Sequence, residues 1–390
     1  MKTLKSNRLH IGFFGRTNVG KSSIINKITG QNVSIVSDIA GTTTDVIEKS
    51  MELLPIGPVT FLDTAGINDD SELGSKRIEK TLKVIERSDI AVLICDYNGL
   101  KEYEKLLIGK FDELKIPYFI IVNKTDIKKP TSQINGIYTC ANSDNELVFK
   151  FKSALIKLLP EDFINPPKIA GDLIKEGSTV VLVIPIDKEA PKGRIILPQI
   201  QTLRDLLDCG CSVISVRDSE LEHALSTLKQ APELVITDSQ AFKKVSEIVD
   251  NNISLTSFSI LFARLKGDLK AFIDGAKAID TLQDGDKVLI LESCTHHAIE
   301  DDIGRVKIPN LLRKKTGKNL VIENFSGHDF PDISSYKLII HCGACMTNRR
   351  EVLSRILRAN QAGIPITNYG IAISYCLGIL ERAVKIFNLE

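Results

Sequence analysis

Eight residues near the start of the chain limit its fold more than any others. Gly15-Arg16-Thr17-Asn18-Val19-Gly20-Lys21-Ser22 fits G-x-x-x-x-G-K-[ST], and it joins the apolar run Ile11 to Phe14 to the amphipathic run Ser23 to Ile28. A glycine-rich turn between a strand and a helix lets main-chain N–H groups wrap a phosphate while the helix start adds its positive dipole end. In that setting Lys21 reaches the outer phosphates and Ser22 can hold Mg²⁺. Two further strand ends carry matching chemistry. Asp63-Thr64-Ala65-Gly66 follows the run Val59 to Leu62, where a carboxylate can hold the water shell of the metal and the Gly66 N–H can sense a terminal phosphate. Asn123-Lys124-Thr125-Asp126 follows YFIIV, and the Asp126 carboxylate can accept N1–H and N2–H of guanine, a pair that adenine lacks.

These motifs, in this order on successive strand ends, resemble the P-loop GTPases, and among them the bacterial TrmE and Era-like group, over about the first 150 residues. The resemblance implies a nucleotide site made of Gly15, Asn18, Val19, Gly20, Lys21, Ser22, Ser23, Thr42, Thr43, Asp63, Gly66, Asn123, Lys124, Asp126 and Ala141. Lys21, Thr43, Asp63 and Gly66 would act in hydrolysis, and Ser22 and Thr43 would hold Mg²⁺. Ser37 to Asp45 looks like the first switch of that group. Asn18 matches the asparagine by which K⁺-activated members hold a monovalent cation, with Thr42 nearby; a solvated loop residue is the alternative. Cys140-Ala141 stands where the family has a Ser-Ala loop against the base. Ile67 stands where Ras-like enzymes carry a glutamine that orients water, and an isoleucine cannot do so. Slow hydrolysis is expected unless Glu72 or a partner supplies that function.

The rest of the chain reads as two smaller α/β domains. With 390 residues, the length suggests two or three domains. Alternating apolar runs and amphipathic stretches point to a mostly parallel sheet with helices on both faces in the first. Pro160, Pro166 and Pro167 end that pattern, and Phe258 to Leu282 reads as one long amphipathic helix ahead of a third series of strands at Lys287. The expected division is 1–165, 166–268 and 269–390. Lys plus Arg number 50 against 49 Asp plus Glu, which argues against a general binder of nucleic acid or anionic membrane. The longest apolar runs fall far short of the roughly 20 residues that span a bilayer. The N-terminal residues show no secretory pattern, so a cytoplasmic protein is expected.

Eight cysteines are too sparse for a disulfide scaffold, which leaves thiols or metal ligands. Cys95 and Cys376 sit in apolar runs and read as small hydrophobes, and Cys209 and Cys211 as structural. The remaining group differs: Cys294-Thr295-His296-His297 follows one apolar run and His341-Cys342-Gly343-Ala344-Cys345 another. Side chains at the carboxyl ends of parallel strands converge on one crevice. Zinc would take four closed ligands and a cubane three cysteines plus an exchangeable position, and the spacing does not decide between them.

A P-loop GTPase domain joined to C-x-H and then H-C-x-x-C resembles the HydF family, GTPase scaffolds of [FeFe]-hydrogenase maturation. Residues 185–208 resemble that family's dimer-forming middle domain. The resemblance implies a [4Fe-4S] cluster on Cys294, Cys342 and Cys345, with His296 and His341 as ligands or supporting donors. It also implies GTP, Mg²⁺ and K⁺ as cofactors, and a homodimer or a tetramer. A di-iron precursor subcluster would be taken from radical-SAM maturases and handed to apo-[FeFe]-hydrogenase, without nucleic acid or membrane. The alternative is an RNA- or ribosome-associated TrmE/Era-like GTPase with a structural zinc domain.

Overall fold

The computed structural model describes residues 7–30, 47–64, 72–130, 133–141, 143–186, 193, 195–292, 303–327, 330–344 and 347–389, with only the backbone of 72–79. Two compact units divide the chain, 1–166 and 167–390. Among the described residues no helix is long and apolar enough to cross a membrane.

The first unit is a six-stranded sheet with helices on both faces. Its strands are β1 (Leu9–Phe14), β2 (Ile47–Leu53), β3 (Gly57–Asp63), β4 (Ile90–Cys95), β5 (Tyr118–Val122) and β6 (Ile137–Tyr138). They lie in the order β2-β3-β1-β4-β5-β6, all parallel except β2, which pairs antiparallel with β3. The described helices are α1 (Lys21–Thr29), α2 (Glu72–Arg87), α3 (Glu102–Glu113), α4 (Leu147–Lys157) and the single turn α5 (Glu161–Ile164). Period-two alternation sorts the strands between two cores. Ile11, Phe13, Ile90, Val92 and Ile94 face Ile24 and Ile28 of α1 and Phe151 of α4. Phe14, Ala91, Leu93 and Cys95 face Val84 of α2 and Phe111 of α3. Cys95 is wholly buried in that second core, and burial pushes its thiol up to about 12. The edge strand β2 has no continuous apolar run, since Glu48, Lys49 and Glu52 interrupt it, and it is held from the side by the Arg87–Glu48 ion pair.

The second unit contains two four-stranded parallel sheets. One has β7 (Thr179–Val183), β8 (Ser212–Val216), β9 (Leu234–Thr237) and β10 (Ser254–Ser257) in the order β10-β9-β7-β8, with α6 (Leu197–Asp208), α7 (Leu221–Thr227) and α8 (Phe242–Ile248) between strands. The other has β11 (Lys287–Glu292), β12 (Val321–Ser326), β13 (Leu338–His341) and β14 (Ile366–Asn368) in the order β12-β11-β13-β14.

The segment Phe258 to Leu282 is not one helix. It forms α9 (Phe258–Lys266), α10 (Leu269–Lys277) and a final 3-10 turn, Ala278–Thr281. Gly267 is extended, and the Asp268 side chain accepts from the Ala271 N–H at 3.0 Å, a cap that starts a new helix. The break turns the chain from one sheet to the other. On α9, Phe258, Leu261 and Phe262 pack on the outer face of the first sheet's core, whereas Ile260 and Ala263 join a second core. That second core holds Val181, Val183 and Leu255 of one sheet together with Leu289, Leu291, Ile339 and Ile366 of the other. Residues 167–390 therefore share apolar contacts across the position 268, and neither sheet buries both its faces without the other. The outer face of the second sheet is covered by α11 (Ile308–Thr316) and α13 (Tyr369–Cys376), while α12 (Arg349–Gln361) contributes Val352 and Ile356 to the shared core.

Gly275 marks the closest approach in this core. A Cβ there would lie 2.0 Å from the Ile366 carbonyl oxygen, main chain against main chain, with no flexible end to give way. Gly275→Ala is expected to cost about 1 to 3 kcal/mol, the usual range for overpacking, read as a lower urea midpoint of the full chain. An unchanged midpoint would mean that α10 can withdraw from β14 at no cost.

Candidate functional sites

The phosphate loop runs from the end of β1 to the start of α1, and its shape follows from close backbone contacts. Gly15 has φ 148°, and a Cβ there would lie 2.2 Å from the Ile94 carbonyl oxygen. Gly20, with φ 91°, caps α1, and its Cβ would lie 2.2 Å from Asn123 Nδ2. Asn18 is also left-handed, at φ 63°.

Asn123 joins the phosphate loop to the base loops. Its Nδ2 donates to Val19 O at 2.9 Å, and its Oδ1 accepts from the Ala141 N–H at 3.0 Å. Its own N–H donates to Cys95 O at 2.8 Å. The residue is buried, so these bonds are made where water cannot substitute. Lys124 adds a fourth tie, from Nζ to Asn18 O at 2.6 Å. The Ala141 N–H, at the position that the family resemblance sets against the base, is engaged by Asn123. Asp126 is exposed, as are Ser22, Ser23 and the side chain of Asn18.

Lys21 and Asp63 face each other across the loop. Burial pushes the Lys21 ammonium down, with Asp63 opposing, and burial pushes the Asp63 carboxyl up to about 6, with Lys21 opposing. Asp63 Oδ1 is buried with no hydrogen-bond partner among the described residues. An orphaned buried carboxylate oxygen beside the phosphate lysine, with the Ser22 hydroxyl open, fits a hydrated Mg²⁺. Thr64 Oγ1 donates to Phe13 O at 2.7 Å and fastens the β3 end to β1. Thr42, Thr43 and Gly66 lie outside the described residues.

An ion pair that sequence reasoning missed, between half-buried Arg16 and buried Glu104, anchors the other side of the loop. Arg16 Nε donates to Glu104 Oε1 at 2.6 Å, and its NH2 reaches Asp96 Oδ1 at 3.3 Å and Gly99 O at 3.4 Å. Glu104 is fully buried on α3, and its second oxygen accepts from the Lys101 N–H at 3.0 Å. Arg16 occupies an unspecified position of the motif and Glu104 lies 88 residues away, so no local signal links them.

The second constellation lies at the carboxyl end of β13. Leu291 pairs with His341, and the Cys342 N–H donates to Leu291 O at 2.9 Å, so the ends of β11 and β13 are side by side. His341 is the last strand residue and is buried, rather than standing in an open loop. Its tautomer follows from its partners: Arg355 can only donate, so Nε2 accepts at 2.8 Å, and Cys342 O can only accept, so Nδ1–H donates at 2.8 Å. Burial, and then the charge of Arg355, push the imidazole down to about 3, so it is neutral. Arg355 is itself buried, donating to Glu351 Oε1 at 2.8 Å and Gly327 O at 3.0 Å. Cys342 O also accepts from Asn368 Nδ2 at 3.3 Å. With both ring nitrogens engaged, His341 acts here as a donor that shapes the Cys342 main chain. Cys342 is 9% exposed and in no disulfide. Cys294, His296 and Cys345 lie outside the described residues, and among the described residues there is no group of three or more metal-ligating side chains.

A parallel-rich sheet with a phosphate loop after β1, an acidic residue at the end of β3 and Asn-Lys-Thr-Asp after β5 defines the P-loop GTPases. Residues 10–124 match the model of a GTPase family described as 50S ribosome-binding GTPase. Residues 169–267 match the hydrogen maturase F dimerization domain, and residues 270–386 the hydrogen maturase F tetramerization domain. The chain belongs to the hydrogen maturase F family. Among curated relatives, GTPase Der of a Nitratiruptor species is 39% identical over 132 residues, 33% of this chain and 28% of that protein. The tRNA modification GTPase MnmE of Prochlorococcus marinus is 38% identical over 125 residues, 32% of this chain and 27% of that protein. The chain thus spans under a third of the length of either relative. Among solved structures, an Era variant of Aquifex aeolicus bound to GDP.AlF4⁻ aligns at 19% identity and TM-score 0.33, covering 54% of this chain and 94% of that one.

The Asp63 carboxyl gives a pH signature. Its folded pKa of about 6 stands above the ordinary 3.8, so between those values the folded chain binds more protons than the unfolded one. In the nucleotide-free chain this group therefore adds stability as pH falls from about 6 toward 4, and none above. Thermal unfolding at pH 5 and 7.5 should show a smaller gain on acidification in Asp63→Asn than in wild type. An identical pH response would contradict the buried, orphaned carboxylate.

Proposed function

We propose that the chain is a GTP-hydrolysing scaffold of [FeFe]-hydrogenase maturation. Its first unit would bind Mg²⁺ and GTP through Gly15, Asn18, Val19, Gly20, Lys21, Ser22, Ser23, Thr42, Thr43, Asp63, Gly66, Asn123, Lys124, Asp126 and Ala141. Its last segment would carry a [4Fe-4S] cluster on Cys294, Cys342 and Cys345, receive a di-iron precursor from radical-SAM maturases and release it to apo-hydrogenase. The chain would work in the cytoplasm as a homodimer or a tetramer, a reading supported by two of its three family models, which describe self-association domains.

The observation that carries the cluster reading is the chemistry around Cys342. An iron–sulfur group on thiolates is anionic, and the Cys342 main chain rests on a buried network that includes the Arg355 guanidinium. The helix α12 begins at Arg349, capped by Asn348 Oδ1 at 3.1 Å from the Glu351 N–H, so its positive end follows the cysteine loop directly. Both features suit an anionic group bound at the loop. A resident cluster would supply an iron site to which a second iron unit can bridge. This chain's own residues hold the loop: His341 and Asn368 bond the Cys342 carbonyl, and Leu291 fixes its N–H. GTP would modulate partner exchange only to the extent that it binds two conformations with different affinity.

Anaerobic reconstitution with iron and sulfide tests the reading. The wild-type chain is expected to bind about four irons and give an EPR-active reduced cubane, lost in Cys342→Ser; one tight zinc and no stable cluster would reject it. For the first unit, GTP turnover is expected to rise when K⁺ replaces Na⁺, and Asn18→Ala should abolish the difference. Equal rates in both salts would remove the cation role of Asn18.

A further inference from the structure

We propose that Lys266 is the positioning residue of the cysteine loop, reaching into it from the segment that matches the dimerization domain. Lys266 is the last residue of α9 and is 4% exposed, a rare state for an ammonium. Its Nζ donates to the carbonyl oxygens of Ala344 at 2.7 Å and Thr347 at 3.0 Å, two positions that bracket Cys345. Its Nζ also lies over the ring of Phe262, one turn earlier on α9, 5.9 Å from the centroid.

A second, independent observation lies in the loop. Ala344 has φ 53°, a left-handed conformation that a residue with a Cβ adopts only where its surroundings hold it, and it is 4% exposed. Within the loop its carbonyl accepts only long bonds, from the Thr347 N–H and Oγ1, each at 3.3 Å. Lys266 adds a shorter bond from another element, at 2.7 Å, and a charged donor makes the stronger kind. The consequence is a mechanical link: residues 169–267 set the conformation of a loop that belongs to residues 270–386. A rearrangement of α9 would move Nζ and release the bend at Ala344 between the two thiols. For what the loop carries, this inference rests on the cluster reading; the clamp itself does not.

Hydrogen–deuterium exchange on the full-length, iron-free chain tests the clamp directly. In Lys266→Met, which keeps the stem and removes the donors, amides of 342–348 should exchange about tenfold or more faster, the effect of losing charge-assisted hydrogen bonds from a local opening. Amides of α10 should be unchanged. On reconstitution the variant should bind several-fold less acid-labile sulfide than wild type. Unaltered exchange over 342–348, or equal acceleration throughout α10, would overturn the proposal. A wild-type chain that retains no cluster would refute the cluster reading, and the exchange comparison would still decide the clamp. If Lys266→Met does not fold, Lys266→Gln keeps one donor group and should give an intermediate acceleration; none would count against the clamp.

Discussion

The Asn123 side chain satisfies two main-chain groups at once, Val19 O and the Ala141 N–H, and so fixes the phosphate loop relative to the loop after β6. A loop that must offer main-chain donors to a ligand cannot use them in a helix or strand. Its shape therefore depends on side chains that reach it from neighbouring elements. Arg16 with Glu104 does the same work on the opposite flank of the loop, and Lys266 does it for the cysteine loop of the second unit. In each case the supporting group is buried, so the loop is held by bonds that water cannot replace.

The two sheets of the second unit depend on each other through α9 and α10. An α-helix that is apolar nearly all round must be covered on every side, and α9 meets that demand by lying between two cores. The extended Gly267 and the Asp268 cap then redirect the chain so that α10 rests on β14, close enough that Gly275 has no room for a side chain. Side-chain bonds follow the same path: Thr367 Oγ1 donates to Phe272 O at 2.8 Å, and Ser259 Oγ to Asn368 Oδ1 at 3.2 Å. Asn368 in turn bonds the Cys342 carbonyl. A chain of polar contacts thus runs from the segment matching the dimerization model to the cysteine loop.

The phosphate loop and the strand ends that frame it were legible in the sequence because they are contiguous: Gly15 to Ser22, Asp63 and Asn123 to Asp126 are short words whose spacing reflects local backbone geometry. What holds those words together was not legible. Asn123 acts on a residue 104 positions earlier, Arg16 on one 88 positions later and Lys266 on one 78 positions later. Such pairings come from the topology, and no window along the chain contains both partners. The edge strand β2 escaped notice because Glu48, Lys49 and Glu52 break its apolar pattern, as suits a strand with one unpaired side. The single helix expected over Phe258 to Leu282 followed apolar periodicity across Gly267-Asp268, although an aspartate after a glycine is itself a start signal. His341 looked like a loop residue because a strand's last position cannot be told from the first position beyond it by composition.

Buried charge explains why the cysteine loop is built this way. Taking Lys266, Arg355 and Glu351 out of water is costly unless each charge meets partners of good geometry. Glu351 meets Arg355 one helical turn away, and the partners of Lys266 include two carbonyl dipoles. A loop that carries thiolates, or an anionic group bound to them, would gain from a positive charge placed where Lys266 stands. The neutral His341 fits that balance: a second cation beside Arg355 would be opposed by both burial and repulsion, and a neutral ring can accept from Arg355 while donating to Cys342 O. Shape and charge at this loop are therefore one design. A substitution that keeps the volume of Lys266 but removes its charge would disturb both.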